Sequence, residues 1–367
     1  VRVLHVLPTA VPRGAQRYAA LLADGLRGPG DEHLLLTLFA SAEGSVPVDV
    51  GGRVPDGRVR RLWADPRAVR ELRAAVRRLQ PDVLVAHGLE PMKYAALLPT
   101  DRPAVVCLAI GTTPEAARRG WRGGAYRRAL RAADVVAGVS RDVQAELAGA
   151  FGRPDALLLR NGRRVADFEV RHRPQPDVPM LLFVGRLVPG KRPELFVDAV
   201  QAARASGAHV SARIVGGGPL EESLEGAAAR AGVALLGERT DVPRLLADAD
   251  LFVFPSLPEG EGLPGVLIEA ALAGLPIVST DVPGARDVVI DGETGTLVPP
   301  DDDRAFQVAV RALVGDAGRR AAMGRAARQH AAAEFDLDST LAAWRAALTR
   351  AARGRADRRP RRTPAST

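Results

Sequence analysis

Apolar runs of strand length alternate with stretches of helical spacing along most of the chain. In the first half, Val1–Leu7 precedes a helical pattern over about Ala15–Leu26, and further apolar runs follow at Leu34–Phe39, Val83–Ala86, Val105–Ala109 and Val135–Val139. Alternation of this kind predicts βα units on a parallel sheet. The pattern restarts with Met180–Val184, a helix over about Pro193–Ala205, and runs at Ala212–Val215, Val233–Leu236, Leu251–Phe254 and Ile277–Ser279. Two doubly wound sheets in series are therefore expected.

Between the two series, Arg171–Pro179 carries three prolines, which interrupt helix and central strand alike, so residues 171–179 are read as a linker. The expected division is a first domain over 1–170, a second over 180–337, a crossover helix over 338–352 and a basic tail over 353–367 that is predicted to be disordered. In the crossover segment Leu341, Trp344, Ala347 and Leu348 fall at helical spacing and mark a face to be buried.

Composition narrows the picture. A chain of 367 residues is long enough for two cores, and a hydrophobic fraction of 47% with only 4% aromatic residues means those cores are built from Ala, Val and Leu. The single cysteine, Cys107, excludes an internal disulfide and any cysteine-rich metal site; in its apolar run it reads as a small buried residue. Val1–Leu7 is interrupted by Arg2 and His5 and leads into Pro8, which is unlike a secretory signal, and no apolar run is long enough to span a bilayer, so a cytoplasmic location is expected. The net charge of +8 is uneven: residues 1–170 carry +8, residues 171–349 carry −6 and residues 350–367 carry +6. A basic first half and tail suit phosphorylated substrates, anionic lipid or nucleic acid, and equally a solvated arginine-rich surface.

The segment with most chemistry is Pro255–Ala271, where an apolar strand ends, a glycine-rich turn follows and a helix begins near Leu263. Ligands in open parallel sheets bind beyond the carboxyl ends of the strands, and a helix start there offers free amides to phosphate. Pro264 donates nothing, which leaves Gly262, Leu263, Gly265 and Val266 as amide donors. Glu261 in the turn and Glu269, expected about two turns into the helix, can line one wall, and carboxylates accept paired hydrogen bonds from vicinal hydroxyls of a sugar or ribose. Their bland alternatives are a carboxylate at a helix start and an exposed helix residue.

A second segment, Phe183–Arg192, places Arg186 and Lys191 on a loop that follows Gly185 directly after a strand, a pair of cations suited to a diphosphate. Gly14, between the first strand and the first helix, would let backbone approach a phosphate closely, though glycine often serves only as a turn. The run Gly216–Pro219 also follows a strand but has Glu221 where a dinucleotide fingerprint has its third glycine, which disfavours a nicotinamide enzyme.

Taken together, these segments resemble glycosyltransferase family 4, the retaining GT-B enzymes. The resemblance rests on Glu261 and Glu269 with seven residues between them, the Gly14 region, Ala132–Val136 with Val139–Ser140, Asn161–Gly162, Gly185–Arg186 with Lys191, Gly216–Leu220, Asp248–Asp250 with Pro255–Ser256, and Asp291–Gly295. It implies an α/β GT-B fold: two Rossmann-like, doubly wound parallel-sheet domains facing a cleft, with a C-terminal helix crossing back to the first domain. By resemblance, Arg186 and Lys191 hold the donor diphosphate, Glu269 the nucleotide ribose and Glu261 a hydroxyl of the donor sugar, while Gly14 approaches the phosphates and the base is read by backbone groups around Gly237–Val242. The implied partners are a nucleotide-diphosphate sugar and an acceptor hydroxyl, with no cofactor and no metal; Asp248 and Asp250 precede a strand and read as structural.

The chain departs from the family in places. Where many relatives carry a histidine after the fourth strand, it reads Cys107–Thr113; His87, at the end of another strand, is the substitute expected to contact acceptor or sugar, with a satisfied strand-end histidine as the equal alternative. Asp287 stands where relatives often have glutamate. Thr113–Arg131 combines six arginines with Trp121 and Tyr126, consistent with a peripheral contact to anionic lipid, while Gly120, Gly123 and Gly124 weaken a helix there, so a mobile acceptor-gating loop competes with that membrane contact. A nucleotide-sugar epimerase of the same fold and a non-catalytic sugar-nucleotide-binding module are the alternatives, and the tail has no aromatic residues with which to stack nucleic acid.

Overall fold

The computed structural model describes residues 1–41, 46–55, 63–170 and 178–358; most of the expected linker, residues 171–177, and the last part of the expected tail lie outside the described residues. The chain divides into two compact units, Val1–Arg160 together with the chain from Thr340 onward, and Asn161–Ser339.

The first unit runs β1 (Arg2–Leu7), α1 (Gly14–Leu26), β2 (Glu32–Thr37), α2 (Pro66–Leu79), β3 (Val83–His87), α3 (Leu89–Ala95), β4 (Ala104–Ala109), α4 (Glu115–Arg118), α5 (Gly120–Arg131), β5 (Val135–Gly138), α6 (Arg141–Gly149) and β6 (Leu157–Leu158). The second runs β7 (Met180–Val184), α7 (Pro193–Ala205), β8 (Ser211–Val215), α8 (Glu221–Ala231), β9 (Ala234–Leu235), α9 (Val242–Asp248), β10 (Leu251–Phe254), α10 (Gly265–Leu272), β11 (Ile277–Thr280), α11 (Ala285–Val288), β12 (Gly295–Val298), α12 (Asp303–Val314) and α13 (Ala317–Glu334). Helix α14 (Leu337–Arg358) starts in the second unit and continues into the first.

Each unit holds one six-stranded sheet, in the orders β2-β1-β3-β4-β5-β6 and β12-β11-β10-β7-β8-β9. The pairings within them are parallel. These are the two doubly wound, Rossmann-like sheets that the restarted periodicity predicts. Strands β3, β4 and β10 are buried at every position, as parallel strands covered on both faces must be. In the second unit Phe183, Phe196, Leu251, Val253 and Phe306 meet in one apolar cluster, and fully burying a side chain of this kind contributes about 1.5–3 kcal/mol.

Aspartates at strand entrances fix the ladders. Asp82, Asp134 and Asp250 each accept a backbone N–H at the start of a neighbouring strand, from Arg2, Val105 and Met180, at 2.8, 2.9 and 2.8 Å. Asp250 thus has the structural role that its position before β10 predicts. Helices α2, α12 and α13 begin on aspartate caps, Asp65, Asp302 and Asp316. Arg320, 1% exposed, donates to the Leu313 and Val314 carbonyls at 2.8 and 2.6 Å, a cation placed on the end of α12 where the dipole favours it.

Three local expectations change. Helix α14 runs through Gly354 to Arg358, and Arg355 Nε donates to the Arg102 carbonyl at 3.2 Å, so residues 353–358 belong to a helix. Residues 120–131 are helical despite their glycines. At Gly123 the reason is spatial: a Cβ there would lie 1.8 Å from the Arg118 carbonyl oxygen, so the α4–α5 corner demands glycine. Helix α10 starts at Gly265 rather than near Leu263, which makes Glu269 its fifth residue, just over one turn in.

Candidate functional site

In the second sheet β7 lies between β8 and β10, so the chain leaves β7 to one side and later returns to the other. Such a switch point is where open α/β sheets bind ligands, beyond the carboxyl ends of the strands. The two loops that emerge there are Gly185–Arg192 after β7 and Pro255–Pro264 after β10. They are tied together by backbone: Leu257 N–H donates to the Gly190 carbonyl at 2.8 Å.

On this frame Lys191 and Glu261 meet. Lys191 Nζ forms an ion pair with Glu261 Oε1, and Ser256 Oγ donates to the same oxygen at 2.6 Å. Glu261 is 8% exposed, and the Lys191 ammonium stands 4.8 Å from the centre of the Phe254 ring. Charge, hydroxyl and aromatic face therefore converge on one carboxylate. Arg186, on the same loop, is exposed.

Close backbone approach explains the glycines around these loops. At Gly216, with φ +133°, a Cβ would lie 1.9 Å from the Gly185 carbonyl oxygen, and at Gly284, with φ +77°, 2.1 Å from that of Gly262. The β8 and β11 loops thus press directly under the two site loops. Gly262 and Leu263 are buried, while Gly265 and Val266 are half-buried at the start of α10, whose cap, Pro264, has no side-chain hydrogen bond. Val242 is half-buried at the first position of α9.

Glu269 is held by a residue that sequence reasoning did not single out. Arg163 Nε donates to Glu269 Oε1 at 2.9 Å, and its guanidinium lies across the start of α10, 2.3 Å from where a Cβ on Gly265 would sit. Arg163 is fixed by its own backbone, with its N–H donating to the Phe335 carbonyl at 2.8 Å and its carbonyl accepting from Leu337 N–H at 3.0 Å. The two acidic residues of the seven-residue spacing therefore have different cations in this structure: Lys191 on Glu261, Arg163 on Glu269. The one available signal for Arg163 was its place directly after Asn161–Gly162.

In the first unit the switch point lies between β1 and β3. Gly14 is exposed as the first residue of α1, and a Cβ there would meet nothing within 4 Å. His87 ends β3, yet its ring turns into the core. It is 1% exposed, its Nε2 lies 3.0 Å from His5 Nδ1, and it stacks on Trp344 with centroids 6.5 Å apart. His5 Nε2 in turn lies 3.0 Å from His33 Nδ1, so three imidazoles form a hydrogen-bonded line across β2, β1 and β3. The surface contact expected of His87 is replaced here by a satisfied Nε2 inside the protein, and its Nδ1 has no hydrogen-bond partner among the described residues.

Burial keeps these imidazoles neutral. It lowers His33 to about 4 and His87 to about 3, and it pushes His5 well below 6.5, aided by repulsion from its two neighbours. Their contribution to stability is complete above about pH 6.5, the unfolded value, and is lost as the pH falls toward these lowered values, because the unfolded chain then binds protons that the folded unit refuses. The expected slope is about 1.4 kcal/mol per pH unit for each histidine that stays neutral. The three tryptophans, Trp63, Trp121 and Trp344, all belong to the first unit, so denaturation followed by their emission at pH 7.5 and 5.0 reads this unit alone. Equal midpoints at the two pH values would show that the histidines titrate normally. Cys107 is also buried, which pushes its thiol up to about 12 and leaves it an inert strand residue.

Comparison with known proteins matches both units. Residues 12–162 match the family described as Glycosyltransferase Family 4 and residues 178–316 that described as Glycosyl transferases group 1. Over 335 residues the chain is 31% identical to the phosphatidyl-myo-inositol mannosyltransferase of Mycolicibacterium smegmatis, a match covering 85% of this chain and 83% of that protein. The chain belongs to glycosyltransferase family 4. A second M. smegmatis relative, the GDP-mannose-dependent alpha-(1-6)-phosphatidylinositol monomannoside mannosyltransferase, is 36% identical over 229 residues; that match covers 56% of this chain and 60% of the relative's length. In fold it is similar to Anabaena HepE, solved in complex with UDP and glucose, with TM-score 0.78 and 21% identity over 95% of this chain and 99% of that one. Among the described residues of this chain, no helix is long and apolar enough to cross a membrane.

Proposed function

We propose that this protein is a retaining, metal-independent glycosyltransferase that moves a hexose from a nucleotide-diphosphate sugar, held by its second unit, to an acceptor hydroxyl. The observation that carries the proposal is the convergence of Lys191, Ser256 and Glu261 at the β7–β10 switch point. A glycosyl transition state develops positive charge on the sugar and negative charge on the departing diphosphate. In this reading Lys191 and the exposed Arg186 neutralise the diphosphate without a metal, and amides at the start of α10 add hydrogen bonds to it. Glu261 accepts from a hydroxyl of the donor sugar, and Glu269 from the nucleotide ribose once Arg163 yields to it.

The relatives named above use GDP-mannose or act on phosphatidylinositol derivatives, which makes GDP-mannose the first donor to test and a lipid-linked, polysaccharide or small-molecule hydroxyl the acceptor. An epimerase reading gains nothing from the paired carboxylates.

A thermal-shift screen with GDP-mannose, UDP-glucose and ADP-glucose tests the donor side, since a ligand that binds only the folded state raises the melting point. At least one nucleotide sugar should stabilise the protein, and recovery of an isomerised donor in place of released nucleotide would replace the transferase reading with the epimerase one. Arg186→Ala should weaken binding of that donor by about 1.5–3 kcal/mol, the range for charge-assisted hydrogen bonds. Titration calorimetry showing unchanged affinity would remove Arg186 from the diphosphate site.

A further inference from the structure

We propose that α3 and α5 carry a platform for a saccharide acceptor, on which the exposed ring of Trp121 stacks against a sugar while Glu90 and Lys93 bond its hydroxyls. The proposal rests on the glycosyltransferase reading and names the chemistry of its acceptor.

The chain has three tryptophans, and two of them, Trp63 and Trp121, lie in one patch. Trp344 is fully buried, whereas Trp121 is 63% exposed. Trp63 stands edge-on to Trp121 at 6.1 Å and to Tyr126 at 4.6 Å between ring centres, a packing that holds the exposed indole in place. Beside the rings, Lys93 Nζ is 2.8 Å from Glu90 Oε2 and 5.4 Å from the centre of Trp63. An exposed indole face, with a carboxylate and an ammonium beside the neighbouring Trp63, matches a sugar ring, which presents a face of C–H groups and a rim of hydroxyls. Glu90 lies in the first turn of α3, directly after β3, and so at the sheet edge where ligands of such folds bind.

Several cations of the segment are already held by carboxylates of the same unit. Arg118 pairs with Glu146 at 3.4 Å, Arg119 with Glu115 at 2.6 Å, and Lys93 with Glu90. Arg122 is placed 5.6 Å from the centre of the Trp121 ring, as a cation set over an aromatic face. The patch thus mixes the carboxylates Glu90, Glu115 and Glu146 with its cations around an exposed indole, and those carboxylates accept hydrogen bonds from sugar hydroxyls but repel an anionic headgroup.

Titration of the full chain with α-1,6-mannobiose and with maltotriose, read by tryptophan emission, tests the platform. At least one saccharide should give a saturable change. Trp121→Ala should raise its Kd at least tenfold, while the melting-point rise produced by the stabilising nucleotide sugar stays as in the parent chain. Absence of any saccharide response in a chain that a nucleotide sugar does stabilise would overturn the platform and leave the transferase reading standing. So would an emission shift with phosphatidylglycerol vesicles alone, which would assign the patch to membrane. A saccharide response in a chain that no nucleotide sugar stabilises would keep the platform and remove the transferase reading.

Discussion

Replacing Glu261 with alanine should lower kcat for transfer by about 10²–10³-fold, the loss seen when one preorganised electrostatic contact is removed from a reacting centre. The carboxylate is 8% exposed and receives both the Ser256 hydroxyl and the Lys191 ammonium. Alanine therefore deletes the sugar contact and at the same time frees Lys191 to reorient away from the diphosphate. Glu261→Gln separates the two effects, since it keeps an acceptor for Ser256 and removes the charge that holds the lysine. The fold should persist, because the loop remains tied by the Leu257 N–H to Gly190 carbonyl bond and by Thr280 Oγ1, which donates to the Ser256 carbonyl at 2.5 Å. Nucleotide release in the presence of acceptor, measured beside the melting temperature, decides the matter. Turnover equal to that of the parent chain would end the assignment.

Half of this site could be read from the chain because its residues sit at one kind of place. Lys191 and Glu261 each follow an apolar strand of the second series, and the carboxyl ends of parallel strands share one edge of their sheet. What periodicity cannot give is which strands are neighbours. That β10 pairs with β7 is decided by packing across the whole unit, and on that pairing depends the contact between the two loops. Arg163 lies 106 residues from Glu269 in the chain, in no periodic element, and only the folded backbone around Phe335 and Leu337 brings its guanidinium to α10. The histidines failed for the same reason. His5, His33 and His87 are separate polar residues within or at the ends of three apolar runs, and only the order β2-β1-β3 aligns them. A reading that took His87 alone could not see that its Nε2 already faced another imidazole. The glycines of α5 misled in a different way: propensity counted them against a helix, whereas Gly123 is there because the preceding corner leaves no room for a Cβ.

The hydrophobic face of the last helix was legible, and it leads to the largest expected change in stability. Leu341, Trp344, Ala347 and Leu348 are 5, 0, 2 and 6% exposed. Trp344 stacks on His87, and its indole N–H donates to Tyr18 Oη at 3.2 Å, which itself donates to the Arg160 carbonyl at 3.0 Å. Next to it, the helix fits tightly against α1: a Cβ at Gly25 would lie 2.8 Å from Leu341 Cδ1. With so little room for neighbours to collapse inward, Trp344→Ala should leave a cavity beside His87 and cost the first unit about 3–5 kcal/mol. For a unit of this size that corresponds to a fall of roughly 6–20 °C in its melting temperature. Trp344→Phe keeps a six-membered aromatic ring and loses the pyrrole part of the indole with its donor, so it should leave a smaller cavity and cost less than alanine. Because the Lys191–Glu261 and Arg163–Glu269 pairs lie entirely in the second unit, nucleotide-sugar affinity at temperatures well below the transition should be unchanged in both variants. Emission from Trp63 and Trp121 still reports the first unit in either variant. A melting temperature for Trp344→Ala within 2 °C or so of the parent would mean that this helix face contributes little to the unit it covers.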